Sequence, residues 1–188
     1  MKEIRFHGRG GQGVVTAAEV LAKAAVQEGK WATSFPAFGP ERRGAPVMAF
    51  TRVSRDQIRI KCQIYNPDIV VVIDPTVWKY VNVTDGIKPK GTLLINTTKP
   101  IDELNFKDVR NIKIYTIDAT SIAMNILKKP ITNMTMIGAL AAVTGIVSVD
   151  SIKKAIFDTF ERKLAESNIK CVEVAYEKMR GENNVTSI

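Results

Sequence analysis

Three glycines near the start of the chain have the spacing of a loop that can hold a phosphate group. Gly8, Gly10 and Gly13 lie where a short predicted strand passes into a predicted helix, in the run FHGRGGQGVV. Glycines allow a tight turn there, and backbone N–H groups at the positive end of the helix can contact an anion. The candidate cofactor-binding residues of this loop form one unbroken run: Gly8, Arg9, Gly10, Gly11, Gln12 and Gly13.

The glycine loop lacks the companion residues of two common nucleotide sites. A P-loop has Lys and then Ser or Thr after its second glycine, whereas Val14 and Val15 follow Gly13. An NAD site usually has an acidic residue about 20 positions further on, at the end of the second strand. Here that predicted strand ends at Phe35, and the next acid, Glu41, lies beyond two prolines. Three interpretations of the loop stay open. It contacts a phosphate-bearing ligand of another kind, it contacts a partner chain, or it is a purely structural turn.

A second candidate surface is the loop of residues 36–46, PAFGPERRGAP. Its three prolines restrict the chain, and its two glycines allow it to bend. Arg42 and Arg43 stand side by side in it, and paired guanidinium groups suit the recognition of phosphate or carboxylate. The alternative is a solvated loop in which one of these arginines pairs with Glu41.

The chain offers no self-sufficient catalytic or metal centre. Its only histidine, His7, has no Ser/His/Asp or Cys/His set to join. Its two cysteines, Cys62 and Cys171, lie far apart in sequence and match no metal-ligand spacing, whereas an iron–sulfur cluster needs four thiolates. We therefore assign no catalytic and no metal-binding residue to this chain, and expect any chemistry to come from a partner.

Composition is that of a globular domain with a basic surface. We expect one domain, residues 1–188, since 45% of the residues are hydrophobic and 24% are charged. The net charge of +8 is compatible with nucleic acid, a polyanionic ligand or an acidic partner. Nucleic acid is disfavoured because there is no arginine-rich tract and no alternation of basic and aromatic residues.

No segment predicts insertion into a membrane or export. The longest nearly apolar run, residues 137–149, is interrupted by Gly145 and is shorter than the roughly 20 residues that span a bilayer. The first residues, MKEIRFHG, contain no apolar signal region. We therefore expect a cytoplasmic protein.

The hydrophobic pattern predicts an α/β fold. It is a Rossmann-like open, mostly parallel sheet with an antiparallel edge hairpin, residues 47–53 with 58–64, and a helical C-terminal tail. Further strands are predicted at residues 4–6, 31–35, 69–73, 92–96 and 112–117. Helices are predicted at residues 12–28, 76–81, 119–128, 133–145 with an Asn cap, 150–164 and 173–180.

Four segments together resemble one protein family over nearly the whole chain. They are FHGRGGQGVVTAAEVLAKAA, FPAFGPERRGAPVMAFTR, NPDIVVVIDPT and NMTMIGALAAVTG. The resemblance is to the gamma subunit of 2-oxoacid:ferredoxin oxidoreductases. The intact GPERRGAP is most similar to the pyruvate enzyme, while related 2-oxoglutarate and branched-chain enzymes carry variants of the same loops.

The resemblance implies a multi-subunit enzyme to which this chain contributes no catalytic group. Alpha and beta chains would bind thiamine diphosphate with Mg²⁺. A delta chain would carry [4Fe-4S] clusters, the beta chain another, and reduced ferredoxin would be a product. It implies that residues 8–13 and the 36–46 loop, with Arg42 and Arg43, form the surface that meets the co-substrate CoA or a sister subunit. A free-standing module for NAD or flavin and a pure scaffold subunit are the alternatives.

Overall fold

The computed structural model describes residues 1–37, 44–104, 106, 111–181 and 186–187. Within them are seven strands: β1 (Lys2–Arg9), β2 (Trp31–Pro36), β3 (Pro46–Ser54), β4 (Ile69–Val72), β5 (Thr92–Asn96), β6 (Lys113–Ile117) and β7 (Thr186–Ser187). The same described residues form five α-helices: α1 (Val14–Gln27), α2 (Ala119–Leu127), α3 (Asn133–Thr144), α4 (Val149–Phe157) and α5 (Arg162–Gly181). Two single 3₁₀ turns lie at Val77–Lys79 and Ile101–Glu103.

All seven strands form one open sheet in the order β2-β3-β1-β4-β5-β6-β7. The central strands β1, β4, β5 and β6 are parallel to one another. Antiparallel strands complete both sides, with β3 between β1 and β2, and β7 against β6. The predicted open α/β class, with antiparallel strands at the edge of the sheet and a helical C-terminal part, is confirmed.

The two faces of the sheet are covered differently. One face carries Phe6, Val71 and Leu94, which pack in a single core cluster with residues from all five helices. The other face carries Val72 and Ile95 and packs under the two 3₁₀ turns and the loops beside them. Alternation of side chains along each strand sends neighbours to opposite faces, so both faces of the central strands are buried. Within the described residues, no helix is both long and apolar enough to cross a membrane.

The predicted hairpin has the wrong second strand. Residues 58–64 are irregular, and the strand that pairs with β3 on the outer side is β2. The side chains alternate as in a strand, but β3 already has a partner on each side, so no edge is free to receive them. Instead the segment is held by Arg52, whose guanidinium donates to the carbonyl oxygens of Ile60 (3.4 Å) and Cys62 (2.7 Å).

Three of the helix predictions also differ from the structure. The predicted 150–164 helix is two helices: α4 ends at Phe157 and packs on α1, while α5 begins at Arg162, packs on α3 and includes the predicted 173–180 helix. The turn between them lets the two halves reach different neighbours. Asn133 is not a cap but the first residue of α3, since Thr132 holds the cap position. The short helix predicted at 76–81 is a single 3₁₀ turn.

Candidate functional site

The candidate site lies at the edge of the sheet where the parallel strands end. From β1 the chain continues to β2 on one side of the sheet, whereas from β4 it continues to β5 on the other side. In open α/β sheets, ligands bind in the crevice at such a reversal of strand order, beyond the carboxyl ends of the strands. Three segments meet there, residues 8–13, 44–45 and 74–76, and we call them the switch-point site.

The glycine loop forms the start of α1 and leaves it without a side-chain cap. Gly13 occupies the cap position in the left-handed conformation, with φ of 72°, and no side chain of the described residues accepts a hydrogen bond there. The first turn of α1 contains no acidic residue. A helix start of this kind keeps N–H groups and a partial positive charge available to an anion.

Two of the glycines also serve packing. A Cβ on Gly8 would lie 2.5 Å from a methyl carbon of Val14, and a Cβ on Gly13 would collide with the side-chain amide of Asn133. Asn133 Nδ2 donates to the carbonyl oxygen of Gly13 at 3.2 Å, which ties the start of α3 to the glycine loop. The purely structural and the ligand-binding interpretations of these glycines are therefore compatible.

Gln12 and Asp74 connect the glycine loop to the end of β4. The side-chain oxygen of Gln12 accepts from the backbone N–H of Arg9 at 2.8 Å, and its amide nitrogen donates to Asp74 at 2.5 Å. Asp74 also accepts from the backbone N–H of Thr76 at 2.8 Å and from the Thr76 hydroxyl. Burial by itself raises the pKa of Asp74, but the bonds from Thr76 and Gln12 and the charge of Arg9 together lower it below its ordinary value. Asp74 is thus an anion that orders this edge of the sheet.

Arg9 joins all three segments of the site. It donates to the carbonyl oxygen of Gly44 at 2.9 Å and to the hydroxyl of Thr76 at 2.8 Å, and its Nε lies 3.5 Å from an oxygen of Asp74. Its guanidinium also lies over the ring of Tyr80, 5.4 Å from the centroid. Much of its hydrogen-bonding capacity is used inside the protein, which makes Arg9 an organiser of the loop.

The two motifs singled out in the sequence are neighbours in space. Gly10 donates to the carbonyl oxygen of Ala45 at 2.9 Å, and Gly44 donates to that of Gly10 at 3.1 Å. The 36–46 loop therefore ends against the glycine loop and starts from the same edge of the sheet at the end of β2. Its residues Arg42 and Arg43 lie outside the described residues.

The sheet order explains the absence of an NAD signature. In a dinucleotide-binding half, the second strand lies beside the first and its end carries the acid that binds the ribose. Here β3 stands between β1 and β2, so the end of β2 is two strand spacings, about 10 Å, from β1. An acidic residue at that end would be displaced from the usual ribose position.

Sequence reasoning missed three residues of this edge. The sequence pattern predicts only that Asp74 ends a strand and that Thr76 begins a short helix, although Asp directly after a buried parallel strand is a signal for a site at the sheet edge. Asn133 gave no usable signal, since its contact with Gly13 joins positions 120 residues apart.

His7 is buried beside the site but is not suited to proton transfer there. The residue is 2% exposed, and its Nε2 has no hydrogen-bond partner in the described part of the chain. Burial and the nearby charge of Arg5 lower the pKa of His7 to about 3. The imidazole is therefore neutral at physiological pH and cut off from solvent.

The chain's own residues do not fit an iron–sulfur cluster. Such a cluster needs four thiolates, and of the two cysteines Cys62 is exposed while Cys171 is buried. Across residues 1–37, 44–104, 106 and 111–181, no group of three or more His, Cys, Asp or Glu side chains is placed to hold a metal ion.

These features define an open α/β fold with a glycine loop at its switch point. The chain belongs to the pyruvate ferredoxin/flavodoxin oxidoreductase family, whose model matches residues 3–178. The family resemblance predicted from the four sequence segments is confirmed.

Individual relatives match the chain over almost their full length. It is 57% identical over 179 residues to the pyruvate synthase subunit PorC of Methanocaldococcus jannaschii, covering 95% of this chain and 97% of the relative. It is 52% identical to the common gamma subunit of the pyruvate/ketoisovalerate oxidoreductases of Pyrococcus furiosus, covering 95% and 97%. The crystal structure of the pyruvate oxidoreductase subunit PORC of Thermotoga maritima matches with a TM-score of 0.83 and 38% identity, covering 98% and 97%.

Proposed function

We propose that this chain is the gamma subunit of a pyruvate:ferredoxin oxidoreductase. The reaction of the assembly is pyruvate + CoA + oxidised ferredoxin → acetyl-CoA + CO₂ + reduced ferredoxin. The observation that carries the proposal is the 57% identity to a pyruvate synthase subunit over 95% of the chain. A second candidate is a subunit shared with a branched-chain 2-oxoacid enzyme, because a relative 52% identical is named as common to pyruvate and ketoisovalerate oxidoreductases.

In this assembly the chain acts as one domain, residues 1–188, in the cytoplasm, and supplies surface rather than catalytic groups. The alpha and beta chains bind thiamine diphosphate with Mg²⁺, the beta and delta chains hold the [4Fe-4S] clusters, and ferredoxin takes the electrons from the complex. The division of labour is supported by the chain's two cysteines, too few for a cluster, and by its single, buried histidine.

The switch-point site, extended by Arg42 and Arg43, is the surface we assign to CoA or to an acidic partner site. Residues 8–13 offer an uncapped helix start, and the 36–46 loop begins and ends at the same edge of the sheet. The net charge of +8 favours an anionic ligand or partner. Phosphate groups of CoA are recognised by this combination of backbone N–H groups and guanidinium side chains.

The test is steady-state kinetics of the assembled complex carrying Arg42→Ala and Arg43→Ala together. We expect the KM for CoA to rise at least tenfold with little change in the KM for pyruvate, or the complex to lose subunits. A matched control replaces Arg55 and Arg59, which are exposed on the loop after β3, with alanine. It should leave the KM for CoA and the subunit content of the complex unchanged. An intact complex with unaltered CoA kinetics in the Arg42/Arg43 variant would contradict the assignment.

A further inference from the structure

A groove on the helical side of the molecule lies outside the three segments of the switch-point site. It lies between the end of α2, the start of α3 and the start of α5, and has a volume of about 470 Å³. We call it the α2–α5 groove, formed by residues 126–133 and 160–168. Its floor and walls are largely apolar, with Ile126, Leu127 and Phe160 half-buried along it.

Two large apolar side chains of this groove face solvent. Ile131, just before α3, is 40% exposed, and Leu164, in α5, is 48% exposed. Both side chains line the same groove. Isolated exposed apolar residues are ordinary on protein surfaces, whereas two that share one concave groove offer a partner an apolar contact surface. Leaving them in water costs free energy that a docked apolar segment would recover.

The charges around the groove are mostly positive. Lys129 and Lys163 line it, and Glu161 is the one carboxylate among its described lining residues. If a second copy of this chain bound symmetrically, its basic rim would face the basic rim of the first copy. Repulsion between the like charges opposes that arrangement. The rim instead complements a segment that carries acidic side chains beside its apolar ones.

The groove is physically connected to the switch-point site through Asn133. This side chain lines the groove and is 4% exposed, and its Nδ2 donates to the carbonyl oxygen of Gly13. A segment docked in the groove therefore packs against the residue that holds the glycine loop in place. Asn133 is therefore both part of the groove lining and a support of the glycine loop.

We propose that the α2–α5 groove receives an acidic, apolar segment of a sister subunit of the same complex. The inference rests on the proposed function, because it takes the occupant from the assembly. The segment's apolar side chains contact Ile131 and Leu164, and its carboxylates pair with Lys129 and Lys163. This mode is the docking of an amphipathic segment in a hydrophobic groove.

The experiment compares variants of the tagged chain purified with its complex. Leu164→Glu and Ile131→Glu place a charge in the groove, and Lys163→Glu reverses the rim. The matched controls are Val174→Glu, which lies on the same helix and is 46% exposed, and Lys178→Glu near its end. Thermal unfolding of each variant chain verifies that these surface changes leave the fold intact.

We expect the groove variants to retain at least tenfold less of the partner chains than the control variants, measured by quantitative mass spectrometry of the purified material. Equal retention in groove and control variants would overturn the inference while the proposed function stands. A wild-type chain that brings down no partner would overturn the proposed function itself. A self-association of the isolated chain that Leu164→Glu abolishes would assign the groove to a second copy and also overturn the inference.

Discussion

Asn133 occupies the space that a side chain on Gly13 would need. Its amide nitrogen donates to the carbonyl oxygen of Gly13 at 3.2 Å, and a Cβ built on Gly13 collides with that amide. Two helix starts, those of α1 and α3, are thereby locked together at the edge where the strands end. The same contact joins the glycine loop to the groove on the helical side.

This contact predicts that Gly13→Ala destabilises the protein more than an equivalent change elsewhere. Gly29 is the matched control, since its φ of +74° is close to the +72° of Gly13 but a Cβ there would meet nothing within 4 Å. Both variants pay the conformational cost of about 1 kcal/mol for a left-handed alanine. Only Gly13→Ala also displaces Asn133, so we expect an additional loss of about 1–3 kcal/mol in the free energy of unfolding. If urea titrations gave equal losses in the free energy of unfolding for the two variants, the contact between Gly13 and Asn133 would be contradicted.

The Asp74 cluster predicts a dependence of stability on acid. Since the folded-state pKa of Asp74 is lowered, its stabilising contribution is complete above its unfolded pKa, about 4, and is lost as the pH falls through the folded value. Asp74→Asn should therefore cost about 1–3 kcal/mol at pH 7 and less at pH 3. Unfolding measured at both pH values checks this, with the exposed Asp56→Asn as control. A cost that does not shrink in acid would contradict the assignment of Asp74 as a stabilised anion.

His7 should stay neutral over the physiological range. Burial first, and then the charge of Arg5, lower its pKa to about 3, whereas an unfolded histidine titrates near 6.5. Because the unfolded chain binds more protons between these values, the stability contributed by neutral His7 is present above pH 6.5 and falls as the pH drops toward 3.

NMR spectroscopy measures this directly, because the untagged chain has a single histidine and so a single imidazole Cε1–H signal. We expect no change of its chemical shift between pH 5 and pH 8. A titration midpoint near 6.5 would show that the ring is solvated.

Arg52 should be among the most sensitive positions on the loop-covered face. Its side chain is 1% exposed, pairs with Glu3 at 3.0 Å, donates to Cys62 O and lies over the ring of Phe35. Arg52→Met leaves the carbonyl oxygen of Cys62 without this donor and leaves Glu3 paired with Lys88 alone, so we expect a loss of about 2–4 kcal/mol in the free energy of unfolding. The exposed Arg55→Met should change it by less than about 0.5 kcal/mol. Similar stability of the two variants would contradict the structural role of Arg52.

The parts of the fold that were predictable from the sequence are those set by local pattern. The apolar run of β4 and the glycines between β1 and α1 each determine local structure through neighbouring residues. The same holds for α1, in which polar residues recur every three or four positions, at Thr16, Glu19, Lys23 and Gln27. Residues 58–64 show the limit of such reasoning, because an alternating pattern indicates a strand only where a sheet edge is free to accept it. That edge of β3 is already taken by β2, which lies more than 20 residues away in sequence.

The candidate site shows the same division. The glycine loop and the 36–46 loop were recognisable from residue types and spacing alone. Their proximity depends on β3 pairing with β1, and the contributions of Asp74 and Asn133 depend on contacts across 62 and 120 positions. No local pattern records contacts of that range.

The most direct test of the account is purification of the tagged chain from its native host, followed by mass spectrometry and cofactor analysis. We predict three co-purifying chains with thiamine diphosphate and iron, and CoA-dependent reduction of ferredoxin by pyruvate. A chain recovered alone with bound NAD or flavin would contradict the account and assign the glycine loop to a dinucleotide.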